Sequence, residues 1–486
     1  YYTHFNDYLK SIADYFTALS LTSNEDVGSY SWSMAYIDIG KIYRDDLGFD
    51  YYDKALKSFN TALEVGENYY KNIEYLEMPS YLRESIHFER AELYKKMERY
   101  NEALEDYNIS INLLKKDIEE GKNYGDKDYD FYKLSNYHFL KAQLFEFNLN
   151  NFDESLIAYD QAIKVIDQIP NLDIEDYMGF AKFQYRASRA LFYFQKIQNY
   201  DKAFDEYSSL IDELEGTNDE LEDANSYGEI LSPAYGLRGM LYSMYLKDYG
   251  KALNDFNKSI SINPNDPNIS FVRGFLYSNH FKNYDKALED YSRAIDLDNK
   301  NASYYIVRGE LLRDHIKDYD KALIDYNMAV ELEPSSDNHN SRGVLHSLLN
   351  NPDEAIFDLT QSTRLNPLKK MVNNNLGTIY ESLKKNYEKA IDFYTKEIEL
   401  NPNKTTYLNR GNLYLGRLDK PEKALKDFLK VTELDPESYS THRSIGNVYR
   451  DLEQFNKAIE SYNVAIELNK SIFLESKEKD SNEYET

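Results

Sequence analysis

The sequence predicts an all-α fold, a right-handed superhelical solenoid of helix-turn-helix repeats. Three observations predict it. One short phrase recurs through all 486 residues, its spacing settles near 34 residues, and each copy opens an amphipathic helical pattern. A period of that length is characteristic of paired-helix repeats.

The phrase is an aromatic residue, a residue that is usually acidic or polar, Lys or Glu, then Ala. It stands at Tyr52-Asp-Lys-Ala55, Tyr100-Asn-Glu-Ala103, Tyr200-Asp-Lys-Ala203, Tyr249-Gly-Lys-Ala252, Tyr284-Asp-Lys-Ala287, Tyr319-Asp-Lys-Ala322, Tyr387-Glu-Lys-Ala390 and Phe455-Asn-Lys-Ala458. Variants at Phe152-Asp-Glu-Ser155, Pro352-Asp-Glu-Ala355 and Pro421-Glu-Lys-Ala424 bring the count to eleven. From Ala252 onward the spacings are 35, 35, 33, 35, 34 and 34 residues; before it they are 48, 52, 48 and 49.

Each phrase begins a helix, the second of its pair. Ala287, Leu288, Tyr291, Ala294, Ile295 and Leu297 fall on one stripe at 3.6-residue periodicity. In five units a proline, such as Pro264 or Pro334, stands twelve residues beyond the anchor and marks the stop. Upstream, a small residue lies 12 or 13 positions before most anchors with an aromatic residue three later, as in Gly274/Tyr277 and Gly377/Tyr380. Glycine inside a helix costs about 1 kcal/mol relative to alanine. Its recurrence implies that the two helices of a unit approach too closely there for a side chain. The extra residues of the early spacings, 66–80, 115–134, 167–180 and 215–233, carry Pro79, Pro170, Gly121, Gly125 and Gly216 and many charges. They read as lengthened helices plus a loop on one edge of the solenoid.

These residues resemble the tetratricopeptide repeat family, whose first helix carries a small residue then an aromatic, and whose second carries Ala, aromatic, Ala and a closing Pro. The likeness extends over essentially the whole chain. The loop between the two helices, however, is often one residue longer than in that family. The organisation expected is a partial, second-helix-like repeat at 1–22, four units with long insertions at 23–235, seven regular units at 236–470 and an acidic tail at 471–486. The resemblance implies a non-catalytic scaffold that holds a protein or peptide partner on a concave surface formed by the first helices. The family's position pattern points to Phe271, Phe275, Arg313, Asn374, Thr378, Glu381, Asn412, Arg443, Asn447 and Arg450 as candidate partner-binding residues. Arg443-Ser-Ile-Gly-Asn447 imitates the first element of the carboxylate clamp that some members carry, but it sits in the last unit, where the helices that complete a clamp are missing. Two alternatives stand beside this reading: a homo-oligomer or filament stacking through its ends, and a regulatory arm of a larger enzyme.

A second pattern runs through the units. An Arg often precedes the small residue, and an acid often stands three past the anchor, giving Arg90/Asp106, Arg189/Glu206, Arg238/Asp255, Arg273/Asp290, Arg308/Asp325, Arg342/Asp358 and Arg410/Asp427. Ile39/Ser58, Leu376/Phe393 and Ile445/Ser461 lack both, and Lys141/Ala158 breaks the rule. The pattern predicts a partly buried ion pair between the two helices of a unit, for which a planar guanidinium is well shaped.

Composition bounds the rest. A formal net charge of −27 argues against nucleic acid and anionic membrane surfaces. Without cysteine there are no disulfides or thiolate metal sites. No apolar run is long enough to span a bilayer. The compartment stays open, the cytoplasm being favoured over the exterior. The chain begins at Tyr1 with no signal pattern and reads as processed or partial. The 47 tyrosines fit a repeat that uses Tyr at fixed packing positions. No phosphate loop or zinc-protease motif occurs, and no cofactor is expected. His339 and His346 share a helix face at i, i+7 but have no nearby Asp or Glu partner in sequence. Asp126-Lys-Asp128-Tyr-Asp130 begins like a calcium loop, yet Phe131 and Tyr137 stand where Gly and Glu are required. The Asn-x-Ser/Thr sequons at Asn108, Asn257, Asn268, Asn301, Asn403 and Asn469 are a chance product of an Asn-rich chain.

The ends carry a last expectation. Ser11–Leu21 matches a second helix whose first helix is missing, and Glu475–Thr486 is a short acidic tail rather than a polar-faced cap.

Overall fold

The computed structural model describes residues 2–21, 29–72, 77–122, 126–170, 172, 177–216 and 228–483. Every element among the described residues is helical. The chain forms two compact units, 1–264 and 265–486.

In the first unit α1 (Tyr2–Leu21) precedes five helix pairs. They are α2 (Ser29–Lys41) with α3 (Tyr52–Asn72), α4 (Ser80–Lys96) with α5 (Tyr100–Glu119), α6 (Lys127–Gln143) with α7 (Phe152–Ile166), α8 (Tyr177–Phe192) with α9 (Tyr200–Gly216), and α10 (Gly228–Leu241) with α11 (Tyr249–Ile262). The second unit holds six pairs: α12 (Pro267–Asn279) with α13 (Tyr284–Leu297), α14 (Ala302–Leu311) with α15 (Tyr319–Leu332), α16 (Ser336–Leu348) with α17 (Pro352–Leu365), α18 (Val372–Ser382) with α19 (Tyr387–Leu400), α20 (Lys404–Gly416) with α21 (Pro421–Leu434), and α22 (Tyr439–Asp451) with α23 (Phe455–Glu483). The fold is the expected all-α solenoid of helix pairs. All eleven phrases open the second helix of a pair at their first residue.

The turn between paired helices explains why the phrase begins a helix. In ten of the eleven units the residue two before the anchor helix has positive φ, and none of these is glycine; Asn150, Lys247 and Lys317 are examples, at 51°, 56° and 64°. The next residue is commonly Asn or Asp, whose side chain accepts from a backbone N–H of the first turn, as Asp318 does from Lys321 at 3.1 Å. The added loop residue has a specific place. Where the small residue lies 13 before the anchor, the residue preceding the new helix donates to a carbonyl six positions back, as in Asp248→Tyr242 and Asp318→Leu312. Where the separation is 12, the same bond reaches only five back, as in Arg99→Tyr94, Asn351→His346 and Gln454→Tyr449. The insertion is thus absorbed by widening the last turn of the first helix.

The insertions lengthen helices, as expected. Helices α3, α5 and α9 run to 21, 20 and 17 residues, against 14 for α13 or α15. The loop portions at 73–76, 123–125, 173–176 and 217–227, Gly125 included, lie outside the described residues. The added lengths carry polar contacts between successive pairs. Glu84 on α4, fully buried, accepts from Lys133 Nζ on α6 at 2.8 Å and from the Tyr137 hydroxyl. The Asp-rich segment is no loop: Asp126 caps α6 by accepting from the Asp128 N–H at 3.1 Å.

Candidate partner-binding face

The first helix of each pair is held to the second at the small residue. A Cβ added at Gly377 would lie 2.6 Å from the Tyr394 ring, and one at Gly274 would lie 2.9 Å from the Tyr291 ring. The aromatic four residues past the anchor Ala therefore fills the space that glycine leaves, and Tyr291, Tyr326 and Tyr394 are at most 1% exposed. A buried phenol is best satisfied by a partner, and in several units the first helix or the turn that closes it supplies one, whereas the buried Tyr207 and Tyr326 hydroxyls have none among the described residues. Tyr159 donates to Glu146 at 2.7 Å, Tyr394 to Glu381 at 2.7 Å and Tyr462 to Asn447 at 2.8 Å.

This packing sorts the ten residues singled out from sequence, which lie on first helices of the second unit or, for Arg313, in the widened turn closing one. Phe275 is 51% exposed. Thr378, Asn412, Arg443 and Arg450 are exposed as well. Glu381 and Asn447 are half-buried and engaged by the tyrosine hydroxyls just described. Thr378 lies within 3.3 Å of the same Tyr394 hydroxyl, so Thr378 and Glu381 form one small polar group. Arg313 forks onto Asp314 at 2.7 Å with its guanidinium over the Tyr326 ring. Arg450 pairs with Asp451 at 2.9 Å. Two candidates are turned into the packing. Phe271 is partly buried against Tyr291 and Tyr304, and Asn374 is 5% exposed and accepts from Asn409 at 3.0 Å. A similar bond joins Asn375 to Asn340 at 3.4 Å. These asparagine links between successive first helices went unread in the sequence, although their 35-residue separation was visible there.

All seven Arg/acid pairs form. Six are two-pronged, Nε and Nη2 each meeting one aspartate oxygen; Arg308 bonds Asp325 at 2.9 and 2.7 Å. Arg189 meets Glu206 through one bond of 2.6 Å. The six aspartates are 1–3% exposed. The third guanidinium nitrogen does something the pattern did not reveal. Arg90, Arg189, Arg308, Arg342 and Arg410 each extend Nη1 to a side chain on the preceding pair, at Asn60, Asp160, Ser292, Asn327 and Thr395. Each of these lies five past its own anchor. The arginine therefore joins neighbouring repeats as well as the two helices of one.

The two histidines without an acidic neighbour in sequence acquire one in space. His339 Nδ1 lies 2.9 Å from Asp358 Oδ1, and His346 Nε2 lies 3.9 Å from Oδ2. Arg342 forks onto the same carboxylate, so the group is a neutralised ion pair. Burial holds His346 below its ordinary pKa, partly offset by Asp358. Among the described residues no group of three or more His, Cys, Asp or Glu side chains is arranged to hold a metal. No helix among them is long and apolar enough to cross a membrane.

Tetratricopeptide-repeat family models match residues 232–266, 372–404, 405–438 and 444–472, and a second model of the same repeat matches 282–337. The chain is a tetratricopeptide-repeat protein. It is 24% identical over 123 residues to fission-yeast anaphase-promoting complex subunit 3, covering 25% of this chain and 18% of that one. It is 32% identical over 97 residues to human protein O-mannosyl-transferase TMTC3, covering 20% and 10%. It is 35% identical over 119 residues to the UDP-N-acetylglucosamine–peptide N-acetylglucosaminyltransferase of Giardia intestinalis, covering 22% and 8%. The chain thus spans less than a fifth of each of these relatives. Among solved structures, Pseudomonas aeruginosa PilF is 19% identical over 47% of this chain and 98% of its own, with a TM-score of 0.38. Yeast Tom70 is 18% identical over 94% and 97%, with a TM-score of 0.35.

Proposed function

We propose that this tetratricopeptide-repeat protein is a non-catalytic scaffold that binds a protein or peptide partner along the first-helix face of residues 265–486. One observation supports this above the others. The first helices α12, α18, α20 and α22 hold Phe275, Thr378, Asn412 and Arg443 exposed at positions the family uses for recognition, on a backbone locked by glycine–aromatic packing. Rigid elements that present mixed apolar and polar side chains suit an extended peptide, because little order is lost in the receptor on binding. Glu381, Asn447, Arg313 and Arg450 form the border of this face, and Phe271 and Asn374 support it from beneath. The test is selection of ligands from a displayed peptide library, followed by titration of the fourfold variant F275A/T378A/N412A/R443A. The variant is expected to keep its helical circular dichroism and lose the selected peptides. Undiminished binding would place the partner elsewhere.

A second reading, self-association through an end, has an observation of its own. On α23, Ile459 and Ile466 are 57% and 51% exposed, whereas the corresponding Leu288 and Ile295 of α13 pack within the second unit.

A further inference from the structure

The third repeat departs from the Arg/acid column, and a cavity lies beside the departure. Lys141 stands where seven other units carry arginine, and Ala158 stands where they carry the acid. The surrounding positions are nevertheless retained. His138, three before Lys141, corresponds to His87, Arg186 and His339, which touch the acid of their own unit at 2.7, 3.2 and 2.9 Å. Asn108 on α5 corresponds to Asn60 and Asn327, which accept from an arginine Nη1 at 2.7 and 3.0 Å. Lys141, the His138 imidazole and the amide acceptor are in place, and Ala158 supplies no carboxylate between them.

A cavity of about 510 Å3 occupies this region, lined by Asn108, His138 and Lys141 together with Lys115 and Lys164. Its lining includes one acid, Glu119, which lies 3.9 Å from Lys115. Ile111, Leu134 and Val165 form an apolar wall, and the volume is in the usual range for small-ligand pockets. Among the described residues no carboxylate lies within 4.0 Å of Lys141 Nζ, which stands over the Phe145 ring at 5.7 Å. Burial lowers the Lys141 pKa against a weaker opposing pull from Glu154. Burial, with Lys141 and Lys115 close by, pushes His138 down to about 4. These are the signs of basic groups held together without a counter-charge, which leaves His138 neutral at pH 7. They stand out in a chain whose net charge is −27.

We propose that this cavity, formed by α5, α6 and α7, binds a carboxylate attached to an apolar body, the carboxylate taking the place of the missing aspartate between Lys141 and His138. The apolar body rests on Ile111, Leu134 and Val165. The carboxylate can come from a free organic acid or from an acidic side chain of a peptide. The inference is drawn from the repeats' own pattern and is independent of the first-helix face, whose residues all lie in the second unit.

The test uses the full chain, titrated by calorimetry with 4-phenylbutyrate, acetate, inorganic phosphate and the capped tripeptide Ac-Leu-Asp-Leu-NH2, while the His138 ring is followed by NMR. Saturable binding of phenylbutyrate or the tripeptide is expected, with the His138 pKa rising in the complex. The tighter of the two identifies the source of the carboxylate. Acetate, without the apolar body, should bind at least about tenfold more weakly. Two variants make the test specific. Ala158→Asp restores the internal carboxylate and should abolish ligand binding while raising the urea midpoint. Lys141→Met should keep the circular dichroism and lose about tenfold or more in affinity. No saturation by either carboxylate at millimolar concentration would overturn the proposal. So would wild-type affinity in Ala158→Asp, or phosphate binding as tightly as phenylbutyrate.

Discussion

At the scale of single residues, the interactions that matter most are polar and buried. Arg273 holds Asp290 through two bonds of 2.9 and 2.6 Å, and Asp290 is 2% exposed. Removing the arginine leaves a buried carboxylate uncompensated, whereas removing the exposed Arg443 leaves nothing stranded. Arg273→Ala is therefore expected to cost about 2–3 kcal/mol, allowing for the arginine's partial exposure. Arg443→Ala should leave the urea midpoint essentially where it is, and equal shifts would contradict the pairing. Lys317 tests a different term. Its φ of +64° is unfavourable for any residue with a Cβ. Lys317→Gly relieves that strain at some cost in unfolded-chain entropy, and a net stabilisation of about 0.5–1 kcal/mol is expected. A lower thermal midpoint would mean that the lysine side chain holds the turn by contacts worth more than the strain.

At the scale of helices, the periodic pattern was legible because it repeats a physical requirement. Each anchor must begin a helix, each small residue must admit a ring, and each arginine must meet an acid, so the same residue types recur at the same offsets. What escaped were relations between helices that no fixed letter marks, most of them crossing from one repeat to the next. The Nη1 reach of Arg90 to Asn60 joins residues 30 apart, and its acceptor is Asn, Asp, Ser or Thr in different units. A variable acceptor leaves no fixed letter to read. His339 and His346 lacked an acid in sequence because Asp358 approaches from the next helix. Among the candidate binding residues, spacing found the helix but not the depth, since the exposed Thr378 and the buried Asn374 lie one turn apart. The buried tyrosines of the helix pairs give the element-scale prediction. Burial raises Tyr107, Tyr159, Tyr207, Tyr326 and Tyr394 above their ordinary 10, and Tyr235, with Glu215 accepting its hydroxyl, reaches about 12. A folded-state pKa raised in this way stabilises fully below the unfolded value of about 10, and the stability is lost as pH rises toward the folded values. The urea midpoint should accordingly be insensitive to these groups at pH 9 and fall steeply beyond pH 10. Tyrosinate absorbance should lag behind free tyrosine until the helices unfold. Complete ionisation with helical circular dichroism intact would show that the rings are accessible.

At the scale of the whole molecule, a solenoid is stabilised by what each repeat lays against its neighbours. In this respect the outer face of α23 differs from that of α13. On α23, Phe455, Ile459 and Ile466 are 60%, 57% and 51% exposed, on one face at helical spacing. An apolar stripe of this kind favours a covering partner, and the simplest available one is a second copy of the chain. The net charge of −27 opposes that approach, and salt screens the opposition. Association through the stripe should therefore strengthen as ionic strength rises, the reverse of a contact built on ion pairs. Light scattering at increasing protein and salt concentration is expected to show a mass climbing above the 57.2 kDa of one chain. The double variant I459K/I466K changes only side chains already more than half exposed in the single chain, so its circular dichroism should match wild type and its mass should stay at one chain throughout. A wild-type mass fixed at one chain in high salt, or a variant that associates as readily, would exclude the α23 face as an assembly surface.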